Sequence, residues 1–252
     1  MLRQSQIAQF LMLNESLGLP DLLGSPMAIN GMKLLSRAAE DGGITLTKSG
    51  GFFRKLVEWG AVDFQWPDYE ADKLYAINKV LNEQDFPPLA IMHDLMLASQ
   101  LLRHVKGRAS LTKDGKAIIG DYGRLQAVLF DTYFTGLDLA AYERVPVVLA
   151  EADIAHCVGV IDNRLNDWVT VEDFTRWCIP VDAIKTWRIS QETDAYLHVL
   201  LRVVRPLSWL GLLEKDASAQ SLRIEDWRLR KSPLFGRFVR FMMPPDGMHT
   251  IH

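Results

Sequence analysis

Gly107-Arg108-Ala109-Ser110-Leu111-Thr112-Lys113-Asp114-Gly115-Lys116-Ala117-Ile118-Ile119 passes from a basic turn through a short alternating stretch into a helix-compatible segment. Its centre, Leu-Thr-Lys-x-Gly, occurs once before, in Ile44-Thr45-Leu46-Thr47-Lys48-Ser49-Gly50. Each copy follows a segment rich in Leu and Ala. The order helix, short strand, glycine turn, helix is therefore written twice, about 65 residues apart, and is read as a repeated unit.

Outward from these phrases the chain has ordinary globular composition. Of 252 residues, 48% are hydrophobic and 23% charged, which excludes a globally disordered or fibrous chain. A chain of this size buries roughly 70 to 75% of its unfolded surface, so no external staple is needed. No run approaches the ~18 apolar residues of a membrane span, and residues 1–7 lack the apolar core of a secretory leader. A cytoplasmic protein without membrane association is expected. Cys157 and Cys178 lack metal-ligand spacing and are read as buried thiols. No cofactor or metal is expected.

The net charge of −3 argues against a protein that coats nucleic acid, but the cations are clustered. Residues 33–55 carry +3, 103–116 carry +4 and 223–240 carry +4, leaving −14 for everything else. Positive charge is concentrated around the expected hairpins.

In chain order, residues 2–17 have the pattern of an amphipathic helix, followed by a Gly/Pro/Ser-rich loop over 18–31. A short helix over 33–40 stops at Gly42-Gly43, 44–47 is a strand, and the helix after Gly50 places Phe53, Leu56 and Val57 on its apolar side. Leu74, Ile77, Val80 and Leu81 keep helical spacing. Pro87-Pro88 opens the strongest helix, whose apolar positions recur from Leu89 to Val105. Val105-Lys106-Gly107-Arg108 signals a tight hairpin. Helices over 113–119 and 122–134 follow. In the last third, 147–165 reads as a buried helix, Thr170 as the N-cap of a short one and 191–204 as a longer one. The segments 210–214 and 222–229 then read as a hairpin around a polar tip, and a tail begins at Pro244.

The Leu-Thr-x-x-Gly positions, Leu46/Thr47/Gly50 and Leu111/Thr112/Gly115, resemble the second wing strand of the winged-helix superfamily in its MarR-like form. Residues 146–242 match that superfamily by the order of their elements, with Leu210-Gly211-Leu212 resembling the strand after a recognition helix. The tandem arrangement also resembles an uncharacterised bacterial family. The resemblance implies a mainly α protein with short β-hairpins, built of two to three winged-helix-like modules packed together. Expected boundaries are 1–68 for a partial unit, 69–145 and 146–243 for modules, and 244–252 for a mobile tail.

The same resemblance implies a non-catalytic protein that binds double-stranded DNA as a transcription regulator or accessory factor. Wings need Lys or Arg at projecting turns to meet phosphates, and recognition helices need polar side chains on an exposed face. Candidates are Lys48, Arg54 and Lys55 in the first phrase, and Arg103, His104, Lys106, Arg108, Lys113 and Lys116 in the second. In the last module they are Arg202, Arg205, Arg223, Arg228 and Arg230. The recognition helices are expected at 88–103 and 191–205, with His93, Ser99, Gln100 and His198 as further polar positions. The alternative is a protein-interaction scaffold or adaptor built from degenerate modules, with no nucleic acid.

Enzymatic readings have little support. His93-Asp94 resembles the dyad of HD phosphohydrolases, but no other His or Asp is spaced to complete a site. Asp153 and His156 are read as a surface pair, and neither a phosphate-cradling loop nor a GxSxG elbow occurs. The seven tryptophans are read chiefly as packing groups, with a stacking platform over 168–209 as the functional alternative.

Overall fold

The computed structural model describes residues 10–137, 151–179, 192–216 and 223–242. Helices dominate these residues and the strands are short and antiparallel, the expected mainly α architecture with small hairpins. Compactness divides the chain differently from the sequence partition. One unit is Glu15–Leu137; the second comprises Met1–Asn14 and Asp138–His252. The expected helix start at 147, the hairpin tip at 217–222, Trp187 and the tail from Pro244 lie outside the described residues.

The first described strand, β1 (Leu11–Leu13), replaces the end of the helix expected over 2–17 and belongs to the second unit. Leu11 is buried and Met12 exposed, a period of two that suits an edge strand better than a helix.

In the first unit, α1 (Pro26–Glu40) begins inside what the sequence presents as a loop. Ser25 caps it by accepting from the Ala28 amide, and Pro26 occupies the first turn, where its missing N–H costs little. The Ser25 hydroxyl also donates to Gln126 Oε1 at 2.8 Å in a fully buried contact. After Gly42 and Gly43, both at positive φ, comes β2 (Ile44–Thr45), then α2 (Arg54–Asp63) and α3 (Ala71–Ile77). Phe52 is buried and Phe53 is 53% exposed, the reverse of the face expected for Phe53. Trp66, 1% exposed, anchors the segment between α2 and α3.

The helix read as continuing to Val105 is α4 (Pro87–Ala98). It ends because Gln100 turns into the left-handed region at φ 59°, and β3 (Leu102–Val105) begins. Lys106 and Gly107, at φ 50° and 74°, form the tight turn to β4 (Arg108–Leu111). The sheet order is β2-β4-β3, with Ile44 opposite Ala109. Next come α5 (Lys113–Ala117) and α6 (Tyr122–Asp131), the latter running into a π turn over Thr132–Gly136.

The two Leu-Thr-Lys-x-Gly phrases therefore lie at the ends of neighbouring strands of one sheet, in unlike surroundings. In the first, Gly50 lies at φ 92° in a tight loop closed by the Gly50 N–H to Thr47 O and the Thr47 N–H to Gly51 O. In the second, Thr112 is a helix N-cap accepting from the Gly115 amide, and Gly115 packs against the Leu101 carbonyl. One glycine supplies a dihedral and the other supplies space, so the shared letters do not mark equivalent positions.

The second unit contains α7 (Glu151–Arg164), β5 (Val169–Thr170) and α8 (Val171–Cys178), with Thr170 accepting from the Asp173 amide as the expected N-cap. Then follow α9 (Glu192–Val199), a π turn over Leu200–Val204 and α10 (Arg205–Trp209), so the helical path continues past the expected stop at Pro206. β6 (Leu213–Lys215) and β7 (Arg228–Lys231) form the hairpin, and α11 (Phe235–Phe238) leads to β8 (Val239–Phe241), which pairs with β1. The order β5-β7-β6 repeats that of the first unit, with the leading strand beside the returning strand of the hairpin. Each unit thus runs helix, strand, helix, buried helix, hairpin, with α3 inserted before the buried helix in the first. Cys157 and Cys178 are buried neighbours, and burial, with Cys157 alongside, pushes the Cys178 thiol well above its usual range.

Candidate functional site

The first unit brings several of the sequence-predicted cations together. The loop 47–52 leaves β2 and lies against the hairpin: the Leu46 amide donates to Gly107 O at 2.9 Å, and a Cβ on Gly50 would sit 3.8 Å from the His104 ring. Lys48 on this loop is therefore close to the hairpin turn that carries Lys106, Arg54 and Lys55 at the start of α2 line the adjoining cleft, and Arg103 projects from the other face of β3. All five are exposed, and none has a carboxylate partner among the described residues. Lys113 and Lys116, on α5, are likewise exposed and without a carboxylate partner there. The unit as a whole carries 13 Lys and Arg against 15 Asp and Glu, so attraction for an anion comes from this local grouping and not from net charge.

Beside the loop is a cleft of about 680 Å³. Thr47, Ser49, Arg54, Lys55, Asn82 and Gln84 supply its polar wall, with Phe52 and Phe53 as apolar wall and Glu58 and Glu83 as acids. α2 starts at this cleft without a side-chain cap, which leaves first-turn N–H groups for solvent or a ligand.

Glu83 faces inward. One carboxylate oxygen accepts from the Phe52 amide at 2.7 Å, and the other is 2.7 Å from His93 Nδ1. The His93 ring stacks on Phe52 with 3.8 Å between centroids, and its Nε2 lies 2.9 Å from His104 Nε2. The chain Phe52–Glu83–His93–His104 thus links the cleft, α4 and the hairpin. His104 is held below the ordinary imidazole range by its burial first and by His93 second. No group of three or more His, Cys, Asp or Glu able to hold a metal occurs among the described residues.

Other candidates are committed elsewhere. The Arg108 guanidinium donates to the Asp41 and Gly43 carbonyls, tying β4 to the turn after α1, so it is a structural group. Arg223 pairs with Glu225 at 2.7 Å; Arg230 pairs with Glu214 at 2.6 Å and lies over Trp168. Arg202 is 3% exposed, and Arg205 lies over Trp209. Arg228 remains exposed. His198 is buried, and that burial, with the Arg202 charge, lowers it to about 4, so it is neutral at pH 7. The side chain of Asp153 lies outside the described set, and His156 Nε2 contacts the Trp177 carbonyl at 3.0 Å.

Among the described residues, neither expected recognition helix presents a reading face. α4 buries Pro88, Leu89, Ile91, Met92, His93, Leu95 and Met96, with Ala98 its one fully exposed residue. From Ala195 to Trp209, Leu197 is the most exposed residue, at 37%. A helix apolar on every side is a core helix, and base edges are out of its reach.

Residues 23–124 match the model of the Y4jL N-terminal domain family. This match falls wholly within the first unit and takes in the cation group, the cleft and the Glu83–His93–His104 chain. An uncharacterized protein y4jL from Sinorhizobium fredii is 42% identical over 92 residues, covering 36% of this chain and 42% of that protein. The chain therefore spans less than half the length of that relative. No solved structure matches.

Sequence reasoning missed the imidazole–carboxylate chain. Its members lie 10 and 11 residues apart on different elements, a spacing with no helical or strand period to flag it. The one available signal was the His93-Asp94 dyad, which pointed towards Asp94 instead of Glu83.

Proposed function

We propose that the chain is a non-catalytic DNA-binding protein, regulator-like or accessory, whose first unit grips the phosphate backbone through Lys48, Arg54, Lys55, Arg103 and Lys106. The observation that carries this reading is the meeting of the loop 47–52 with the hairpin turn, which sets exposed Lys48 and Lys106 on adjoining segments with no carboxylate partner among the described residues. Phosphate contact is a matter of charge at projecting turns, and the Lys106–Gly107 turn and the uncapped start of α2 are such places. The shared strand order of the two small sheets, and the helix–strand–helix–helix–hairpin order apart from the inserted α3, support reading both units as winged-helix-like. Because α4 is buried, any preference for sequence comes from backbone shape and not from a helix in the major groove.

A salt titration of duplex binding by the intact chain tests this. With three to five phosphates neutralised, log K is expected to fall against log salt with a slope of about −3 to −4.5. Absence of binding at low salt to both random duplex and a selected library removes the proposal.

A second reading, protein docking, is favoured by a different observation. Tyr75, Ile77 and Val80 are 41%, 84% and 46% exposed on and just after α3, an apolar group that DNA would not use. A stoichiometric protein partner that shields Ile77 and leaves the cations accessible favours this reading over the first.

A further inference from the structure

The contact between His93 and His104 has a chemistry of its own, independent of whether the chain binds nucleic acid. Two imidazole nitrogens 2.9 Å apart can hold one hydrogen between them and no more. We infer that His93 and His104 form a one-proton latch, in which a single shared hydrogen pins the β3–β4 hairpin to α4 and full protonation of both rings releases it.

The hydrogen inventory follows from the neighbours. The Glu83 carboxylate can only accept, so His93 Nδ1 carries its N–H and donates to Glu83 Oε1. In the neutral pair His93 Nε2 then has a lone pair, and His104 Nε2–H donates to it. One added proton leaves this bridge intact. It can enter at His104 Nδ1, or convert His93 to an imidazolium that donates to both Glu83 and His104, and in either case Glu83 balances the charge. A second proton puts N–H on both facing nitrogens. Two donors then point at each other at hydrogen-bond distance, and the two positive charges face one carboxylate. The contact opens.

The surroundings make the opening matter. His104 lies opposite Ala109 on the hairpin, on the same strand face as buried Leu102, whereas Arg103 and Val105 point to the other face. His93 is fixed by Glu83 on one side and by the stacked Phe52 ring on another, so the movable partner is His104. The charged groups around it are Glu83 beside α4, His93 and Asp94 on α4, Lys48 on the loop 47–52, Arg103 and Lys106 on its own hairpin, and Arg108 on β4. Arg108 is turned to the Asp41 and Gly43 carbonyls, and Glu83 and Asp94 are the acids acting on His104.

The sign of the pH dependence follows from the lowered affinity of His104 for protons. Below the ordinary imidazole value of 6.5 the unfolded or released ring binds a proton more readily than the latched one. The latch is complete above that value, survives the first proton, and opens as pH falls far enough for the second to bind, the step that the His93 charge beside His104 opposes.

Side-chain nitrogen NMR of the intact chain between pH 8 and 4.5, with amide hydrogen exchange over residues 102–111, tests the latch. His104 is expected to titrate below 6.5, and hairpin protection, corrected for intrinsic exchange, to hold through uptake of the first proton and to fall at least tenfold as the second binds and both rings become charged. His104→Gln keeps an N–H donor for His93 Nε2 and cannot take a second proton, so its hairpin should stay protected through the same range. His104 lies at the hairpin surface with its ring only partly covered, so this variant tests the latch without emptying the core. Independent titration of the two rings with unchanged hairpin exchange overturns the inference. So does equal acid loosening in His104→Gln.

Discussion

Gly115→Ala is expected to destabilise the first unit by about 3 kcal/mol, whereas Gly50→Ala, at the same place in the other Leu-Thr-Lys-x-Gly phrase, costs about 1 to 2 kcal/mol. At Gly115 an added Cβ would lie 2.0 Å from the Leu101 carbonyl oxygen and 2.9 Å from its carbon. Those atoms are backbone, held in turn by the Thr112 amide donating to Leu101 O at 3.1 Å, so relief requires moving α5 away from the sheet. At Gly50 the nearest obstacle is the His104 ring at 3.8 Å, an ordinary contact, and the penalty is the strain of an alanine at φ 92°. Denaturant unfolding of the two variants measures the difference. Equal costs would mean that the two glycines do the same job, as a duplicated module requires and this fold does not.

Reversing charge at three positions of the cation group, Lys48→Glu, Lys55→Glu and Lys106→Glu together, is expected to weaken duplex binding at least a hundredfold at low salt. It should also reduce the salt slope by roughly 3. These side chains are exposed and make no ion pair among the described residues, so the unfolding midpoint should hardly move. Arg223→Ala removes a cation already paired with Glu225 and should leave affinity within about twofold, since a neutralised group releases few counterions. Fluorescence anisotropy with a labelled duplex separates these outcomes. A triple variant that binds as tightly as the parent would move the contact away from the loop and hairpin.

Much of the fold was legible where one local interaction decides the outcome. Gly107 marked a tight turn because glycine accepts positive φ, with Lys106 drawn to φ 50° beside it, and Thr170 marked a helix start because its hydroxyl can accept from the Asp173 amide. The helix α4 opened at Pro87 as its sequence required. Its end was not legible: Leu95, Ala98, Leu102 and Val105 keep helical spacing, and the break depends on Gln100 entering the left-handed region without a glycine to announce it. The start of α1 was hidden for the opposite reason. Gly31 looks like a loop residue, yet it is in a helix because Met92, Met96 and Leu129 pack where a Cβ would project.

The candidate site was half legible. Clustered Lys and Arg can be counted in a sequence, and the loop that carries Lys48 does meet the hairpin turn that carries Lys106. Which cations are already used cannot be counted that way: Arg108 is taken by backbone carbonyls, Arg230 by Glu214 and Trp168, and Arg202 by burial. The same limit applied to the recognition helices. Apolar periodicity identified them as helices but could not say that their remaining faces would also be covered.

Amide hydrogen exchange of the intact chain with and without a saturating short duplex, at low salt, tests the central claim most directly. Added protection confined to residues 46–56 and 102–108, with α4 and the second unit unchanged, is the expected result. Protection of α9 and the β6–β7 hairpin in place of those segments, or none anywhere, would contradict it.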